Sequence, residues 1–405
     1  MRIPNIMKSS AARCAASAFA ATVALSGCTA VSGTALPGEP DIRGFDTGSY
    51  PTTPLDLRWE YNHTLLDGVE LAIMRLADNV VNGIEIDPKL EYNRGVEAFD
   101  DADSATELLA DVNGPVLERH NFMFGLGITS ADRAAPADRS LGETSVTIGV
   151  LQFPDDKTAE AAARDLDQTD LAVSPDQNKP VALDKYPDAH SHWRPGIPTL
   201  GTTMAVGSYV ISMLVTWPSP DLHALTTLAE QSYAAQVPLL EKLPALSKRD
   251  VAALPFDPES MFQRTLTSPD FFFSPRVGAV AFHTPRGILH WVSEPTETQK
   301  AMADSGTDRI SIADGTYLWR TRDTESATKL ADTRLVSSRW MAIDPPRDVP
   351  DVRCAEDSTP ADSDRRYVCV LRYGRYVAQV QSGQPADVEQ RAAAQYALLA
   401  NSQYQ

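Results

Sequence analysis

"VTIGVLQFPDDKTAEAAARDL" (residues 146–166) and "GTYLWRTRDTESATKLADTRL" (around 315–335) carry the same plan. In the first, Val146, Ile148 and Val150 alternate along a run reaching Phe153, the period of a strand. Asp155 or Asp156 then caps a helix holding Thr158 and a series of alanines. In the second, Asp323 takes the cap position, Ser326 the first turn and Leu330 an apolar site. A strand, an acidic turn and an alanine-rich helix occurring twice point to an internal duplication.

Other segments recur in the same order. "MAVGSYVISMLV" (204–215) matches "VLRYGRYVAQV" (370–380), sharing Gly-x-Tyr-Val. Gly207 and Gly374 sit where a tight hairpin needs positive φ. "AEQSYAAQVPLL" (229–240) matches "VEQRAAAQYALL" (388–399). Asp221 and Asp387 are the expected caps of these last helices. "IEIDPKL" (84–90) pairs with "LPFDPES" (254–260) through Asp87-Pro88 and Asp257-Pro258. Each half therefore reads as strand, helix, loop, hairpin, helix. The expectation is an α+β protein of two tandemly duplicated sheet-plus-helix domains, with helices covering one face of an antiparallel sheet. A ferredoxin-like arrangement is one candidate for the strand order. The boundaries expected are 59–246 and 247–405, the join falling at "LPALSKRD" (243–250).

The N-terminus has its own layout. Arg2, Lys8 and Arg13 precede "CAASAFAATVAL" (14–25), and Ser26-Gly27-Cys28 follows. Basic, apolar, small is the order of an export signal, and the apolar run falls well short of the ~20 residues of a spanning helix. Leu25-Ser26-Gly27-Cys28 resembles the lipobox of bacterial lipoproteins. That resemblance implies cleavage after residue 27 and a diacylglyceryl group on the Cys28 thiol. Residues 1–27 are then a signal peptide and 28–58 a lipidated tether and lead-in segment. With Cys14 removed and Cys28 lipidated, Cys354 and Cys369 remain as an even pair flanking a polar loop, which reads as a disulfide.

The chain has 405 residues and a formal charge of −18. An acidic surface repels phosphate backbones, which argues against nucleic acid as a partner. Motifs of serine hydrolases, nucleotide-binding loops and H-E-x-x-H metalloenzymes are absent from the sequence. No cofactor is expected. Asp188, His190 and His192 in "YPDAHSHW" alternate as metal ligands on a strand face would. Pro187 and Pro195 flank them and favour a polar surface loop instead. In "AFHTPRGILHW" (281–291), His283, Arg286 and His290 are candidate ligand contacts, because Arg and His can hold an anion. The plainer reading is strand–turn–strand, with Pro285-Arg286-Gly287 as the turn. "DFFFSP" (270–275) is core or greasy groove.

"PDIRGFDTGSYPTTP" (40–54), with the lipobox and the two-part body, resembles an uncharacterised family of lipoproteins from mycobacteria, nocardiae and their relatives. Its motif D-x-G-x-Y-P-T-x-P corresponds to Asp46, Gly48, Tyr50-Pro51-Thr52 and Pro54. Asp46 and Gly48 read as a turn, and Tyr50 as the side chain that docks the segment. The resemblance implies an envelope location and two α/β portions, and supplies no catalytic residue. Two functions follow as expectations. One is a membrane-anchored, non-catalytic binding or accessory protein for an envelope protein, lipid or glycan. The other is an extracytoplasmic hydrolase or metal-dependent enzyme using dispersed histidines.

Overall fold

The first half builds a seven-stranded sheet from β1 (Tyr92–Phe99), β2 (Phe124–Ala131), β3 (Ser145–Gln152), β4 (Lys179–Val181), β5 (His190–Trp193), β6 (Thr199–Val206) and β7 (Tyr209–Thr216). The second half builds another from β8 (Ala281–His283), β9 (Arg309–Ala313), β10 (Thr316–Arg320), β11 (Trp340–Ile343), β12 (Val352–Asp357), β13 (Tyr367–Tyr373) and β14 (Tyr376–Ser382). The first runs β1-β2-β3-β7-β6-β5-β4 and the second β8-β9-β10-β14-β13-β12-β11. Raising each strand number of the first by seven gives the second. Neighbours pair antiparallel throughout, β3 on β7 and β10 on β14 at the centres. The structure is a computed structural model that describes residues 41–55, 63–134, 142–360 and 362–402. The signal peptide, Cys28 and residues 29–40 of the tether lie outside the described residues.

The longer helices are α1 (Leu65–Ala77), α2 (Asp156–Ala172), α3 (Leu222–Leu240), α4 (Pro295–Ser305), α5 (Thr324–Asp332) and α6 (Pro385–Asn401). Their starts follow the sequence. Asp155 accepts the Thr158 N–H at 2.8 Å, Asp323 the Ser326 N–H at 2.8 Å and Asp221 the Ala224 N–H at 3.1 Å. Asp387 departs from expectation. Helix α6 opens one turn earlier with Pro385, whose missing N–H costs nothing there, so Asp387 lies inside the helix. Each sheet is larger than the β-α-β-β-α-β unit of a ferredoxin-like layer. Helices cover both faces of each sheet, not one. In the first, Ile148 and Val150 pack toward α1 and α3, while Leu151 and Val210 pack toward α2. In the second, Leu371 and Val380 pack under α6, while Trp319 and Val370 pack under α4 and α5. Strands β2 and β3 are buried on their two faces, and β2 fills alternate positions with Gly125 and Gly127 while β3 sets Leu151 beside Val150.

The halves share some features and differ in others. Gln236 on α3 and Gln395 on α6 are both fully buried. Gln236 accepts the Val81 N–H and donates to the Asn79 carbonyl, both at 2.9 Å. Gln395 accepts the Leu266 N–H at 2.8 Å and donates to the Arg264 carbonyl at 2.9 Å. These equivalent clamps align residues 79–81 with 264–266. Asp87 therefore follows the clamped segment and Asp257 precedes it, so the Asp-Pro pair is not part of the duplication. Cys354 and Cys369 face each other in the β12–β13 register, Cα atoms 4.0 Å apart, and are disulfide-bonded. Closing a loop of this length removes roughly 3 kcal/mol of unfolded-state entropy.

Helix α1 joins the two halves. Its Ala72, Ile73 and Leu76 enter the first core. Its Leu71 and Met74 enter an aromatic cluster with Phe256, Phe262 and Phe273. Phe273 is thus core, while Phe272 is 81% exposed. Residues 42–52 of the lead-in segment pack on the second half. Asp46 accepts the Gly48 N–H, Gly48 has a φ of 55°, and the Tyr50 hydroxyl donates to Asp387 at 2.6 Å.

Candidate functional site

The residues singled out in "AFHTPRGILHW" form the seam between the halves. After β8 the chain turns into helix at Pro285–Ile288 and a 3-10 turn at Leu289–Trp291, replacing the expected strand–turn–strand. Thr284 stands in extended conformation before Pro285, the usual start for such a helix. The Thr284 N–H and hydroxyl both donate to Asp78, the C-cap of α1, at 2.9 and 2.8 Å. Burial raises the Asp78 carboxyl to about 6, against the lowering effect of those bonds. Arg286 pairs with Glu85 at 3.0 Å. His290 meets the Ala77 carbonyl at 3.0 Å, and burial pushes it down to about 4. His283 is fully buried, neither ring nitrogen has a partner, and burial with His290 nearby pushes it down to about 3. Both imidazoles are neutral at ordinary pH. His290 ties the second half to α1 through Ala77 and Arg286 ties it to Glu85, with His283 buried between them and Trp291.

Asp188, His190 and His192 do not converge on a common point. Among the described residues no group of three His, Cys, Asp or Glu side chains is placed to hold a metal. His190 and His192 do share strand β5, and the prolines at 187 and 195 lie just beyond its ends. His192 turns to Asp167 on α2, Nδ1 to Oδ1 at 2.7 Å. Its ring lies over Gly201, where a Cβ would come within 2.9 Å. The pair borders a first-half cavity of about 360 Å³ that also touches Asp170 and Arg194. Burial raises the Asp170 carboxyl.

The second half has a cavity of about 350 Å³ on the matching face of its sheet. Its walls include Trp291, Tyr317, Trp319, Arg334, Arg365 and Gln379. Tyr317 and Trp319 alternate on β10, so both point to the α4–α5 side, their rings 5.8 Å apart and 14° from parallel. Arg334, just past α5, lays its guanidinium over Trp319 at 4.4 Å. Its Nε is buried without a partner, and no carboxylate pairs with it among the described residues. Burial alone lowers its pKa. Trp291 stacks on His283 with centroids 4.7 Å apart, so the seam backs one wall. The capping aspartates, Asp155 and Asp323, put Tyr317 where the first half has Gly149. The pairs Gly149–Ser212 and Tyr317–Gln379 hold the same register. Sequence reasoning missed this site. The available signal was the aromatic alternation in "TYLWR", new relative to "TIGVLQ".

A duplicated pair of helix-clad antiparallel sheets with a cation-bearing aromatic cavity in one copy is the class defined by these observations. Residues 59–256 match the N-terminal family described as Domain of unknown function (DUF7373), and residues 261–402 match its C-terminal family. The chain belongs to this family, whose two portions together take in most of its length. No curated protein matches it. Among solved structures, the extracellular domain of PknH from Mycobacterium tuberculosis is similar over 43% of this chain and 97% of that chain. The identity is 11% and the TM-score 0.32. Among the described residues no helix is long and apolar enough to cross a membrane.

Proposed function

We propose that the protein is a lipid-anchored accessory protein of the cell envelope that binds a small ligand in the second-half cavity without transforming it. The observation that carries the reading is Arg334, a half-buried guanidinium held against Trp319 on a cavity wall, its Nε buried without a partner and no carboxylate pairing with it among the described residues. Burying a cation unpaired is costly, so such a group is retained where something else compensates it. The anchor is proposed at Cys28, and the Cys354–Cys369 bond agrees with an oxidising compartment. The membrane is then one partner through the lipid, and an envelope protein, lipid or glycan supplies the other. Native mass spectrometry of the chain purified from its own membrane tests the reading. An adduct of defined mass is expected, lost in Arg334→Gln. A bare chain in both preparations would count against it. Replacing Cys28 by Ala should release the chain from the membrane fraction.

The enzymatic alternative draws on the His192–Asp167 pair, a hydrogen-bonded dyad at a cavity edge. A His192→Ala chain that keeps every envelope phenotype removes that alternative.

A further inference from the structure

We infer that the ligand of the second-half cavity is an organic oxyanion, a phosphate or carboxylate carried on a flat apolar body. This rests on the cavity being the ligand site, and goes further by naming what fills it. The chain holds 54 acidic against 36 basic residues, yet two guanidiniums and no carboxylate line this cavity. Arg334 is held by its stacking on Trp319, its Nε is buried without a partner, and no carboxylate pairs with it among the described residues. A guanidinium fork presents donors in the plane that a phosphate or carboxylate accepts. Arg365 is the second. Its pairing with Asp362 is long, at 3.7 Å, and both partners are largely exposed, so the guanidinium is free to exchange that carboxylate for a ligand oxyanion. Gln379 adds a neutral polar group.

The rest of the wall selects the body. Trp319 has one face covered by Arg334, but Tyr317 beside it and Trp291 elsewhere on the wall give aromatic surface against which a flat apolar group packs. The volume suits a ligand of one or two rings. An inorganic ion satisfies the arginines and leaves the aromatics wet. A neutral aromatic does the reverse and leaves Arg334 unpaired. Only a molecule with both parts meets both demands.

The test is calorimetric titration of the full chain in mild detergent, against an empty-micelle control, with 2-naphthyl phosphate, 2-naphthoate, 2-naphthol and inorganic phosphate. The two charged naphthyl probes should bind at least about tenfold tighter than naphthol or inorganic phosphate. The preference between them identifies the oxyanion. Arg334→Gln should bring naphthyl phosphate down to the level of naphthol. Its melting temperature should change little, because Arg334 has no ion pair to lose among the described residues and Gln keeps part of the packing on Trp319. A structural role for Arg334 would lower it. Tyr317→Ala serves as a second variant and should weaken both charged probes. Naphthol binding as tightly as naphthyl phosphate, or an Arg334→Gln chain with unchanged affinity, overturns the oxyanion class but leaves the cavity as a site. No heat from any probe overturns both.

Discussion

His283 is a fully buried imidazole without a hydrogen bond, stacked on Trp291 and close to Gly287 and Asp78. An orphaned polar group of this kind costs about 1–3 kcal/mol. Its pKa is lowered, so the unfolded chain takes up a proton first as pH falls below ~6.5. The stability it contributes is present above that value and is lost as pH falls toward 3. Asp78 acts in the opposite sense. Its pKa is raised, so its contribution is full below ~3.9 and is lost as pH rises through about 6. Replacing His283 by Phe keeps the stacking and removes the orphaned nitrogens. The variant should gain about 1 kcal/mol in urea unfolding at pH 7. Between pH 7 and 4 its midpoint should fall less steeply than that of the parent chain. A loss of stability at pH 7 would mean that the imidazole nitrogens are satisfied. The sequence exposes this histidine but not its role, since its neighbours on α1 are some 200 positions away in the chain.

At the scale of elements, caps and hairpin glycines carry most of what a sequence can disclose, because both act within a few residues. Asp155, Asp221 and Asp323 sit where their helices begin, and Gly207 and Gly374 have positive φ. The Asp314-Gly315 turn joining β9 to β10 was equally readable, both residues having positive φ. Edge strands such as β4 and β11 were not, being too short to establish a period. The lead-in strap combines the two cases. Its turn is local, while its dock on α6 is not. Gly48 has a φ of 55°, and a Cβ there would stand 2.5 Å from Gln390 Oε1. Gly48→Val should detach residues 42–52 from α6, costing about 1–2 kcal/mol through the left-handed backbone alone. Faster amide exchange in that segment is the readout. Tyr50→Phe loses the bond to Asp387 and should show a milder form, about 1 kcal/mol. Unchanged exchange in Gly48→Val would show the strap to be dispensable.

At the scale of the whole molecule, duplication and independence part company. The matched strand orders and the Gln236 and Gln395 clamps describe two copies of one plan, each with its own sheet. Two such copies would ordinarily unfold in two steps. Helix α1 changes that expectation, since its apolar residues enter a core on each of two opposite sides and it needs both neighbours. Nothing in "ELAIMRLADNVV" distinguishes it from a helix serving a single sheet, which is why the sequence discloses two halves and not their union. Asp78, Glu85 and Asn93 extend the seam, the last donating to the Leu289 and Val292 carbonyls at 2.6 and 2.7 Å. Removing either half strands these groups and uncovers Leu71, Met74 or the Phe256–Phe262 stack. Urea unfolding of the full chain should therefore be a single transition, with tryptophan fluorescence and far-ultraviolet dichroism coincident. A chain cut between 256 and 261, the interval separating the two family matches, should yield halves that bind a hydrophobic dye and fail to give a sharp transition alone. Two resolved transitions in the intact chain, or a second half that folds cooperatively without α1, would show the sheets to be independent domains and reduce the seam to a contact between them.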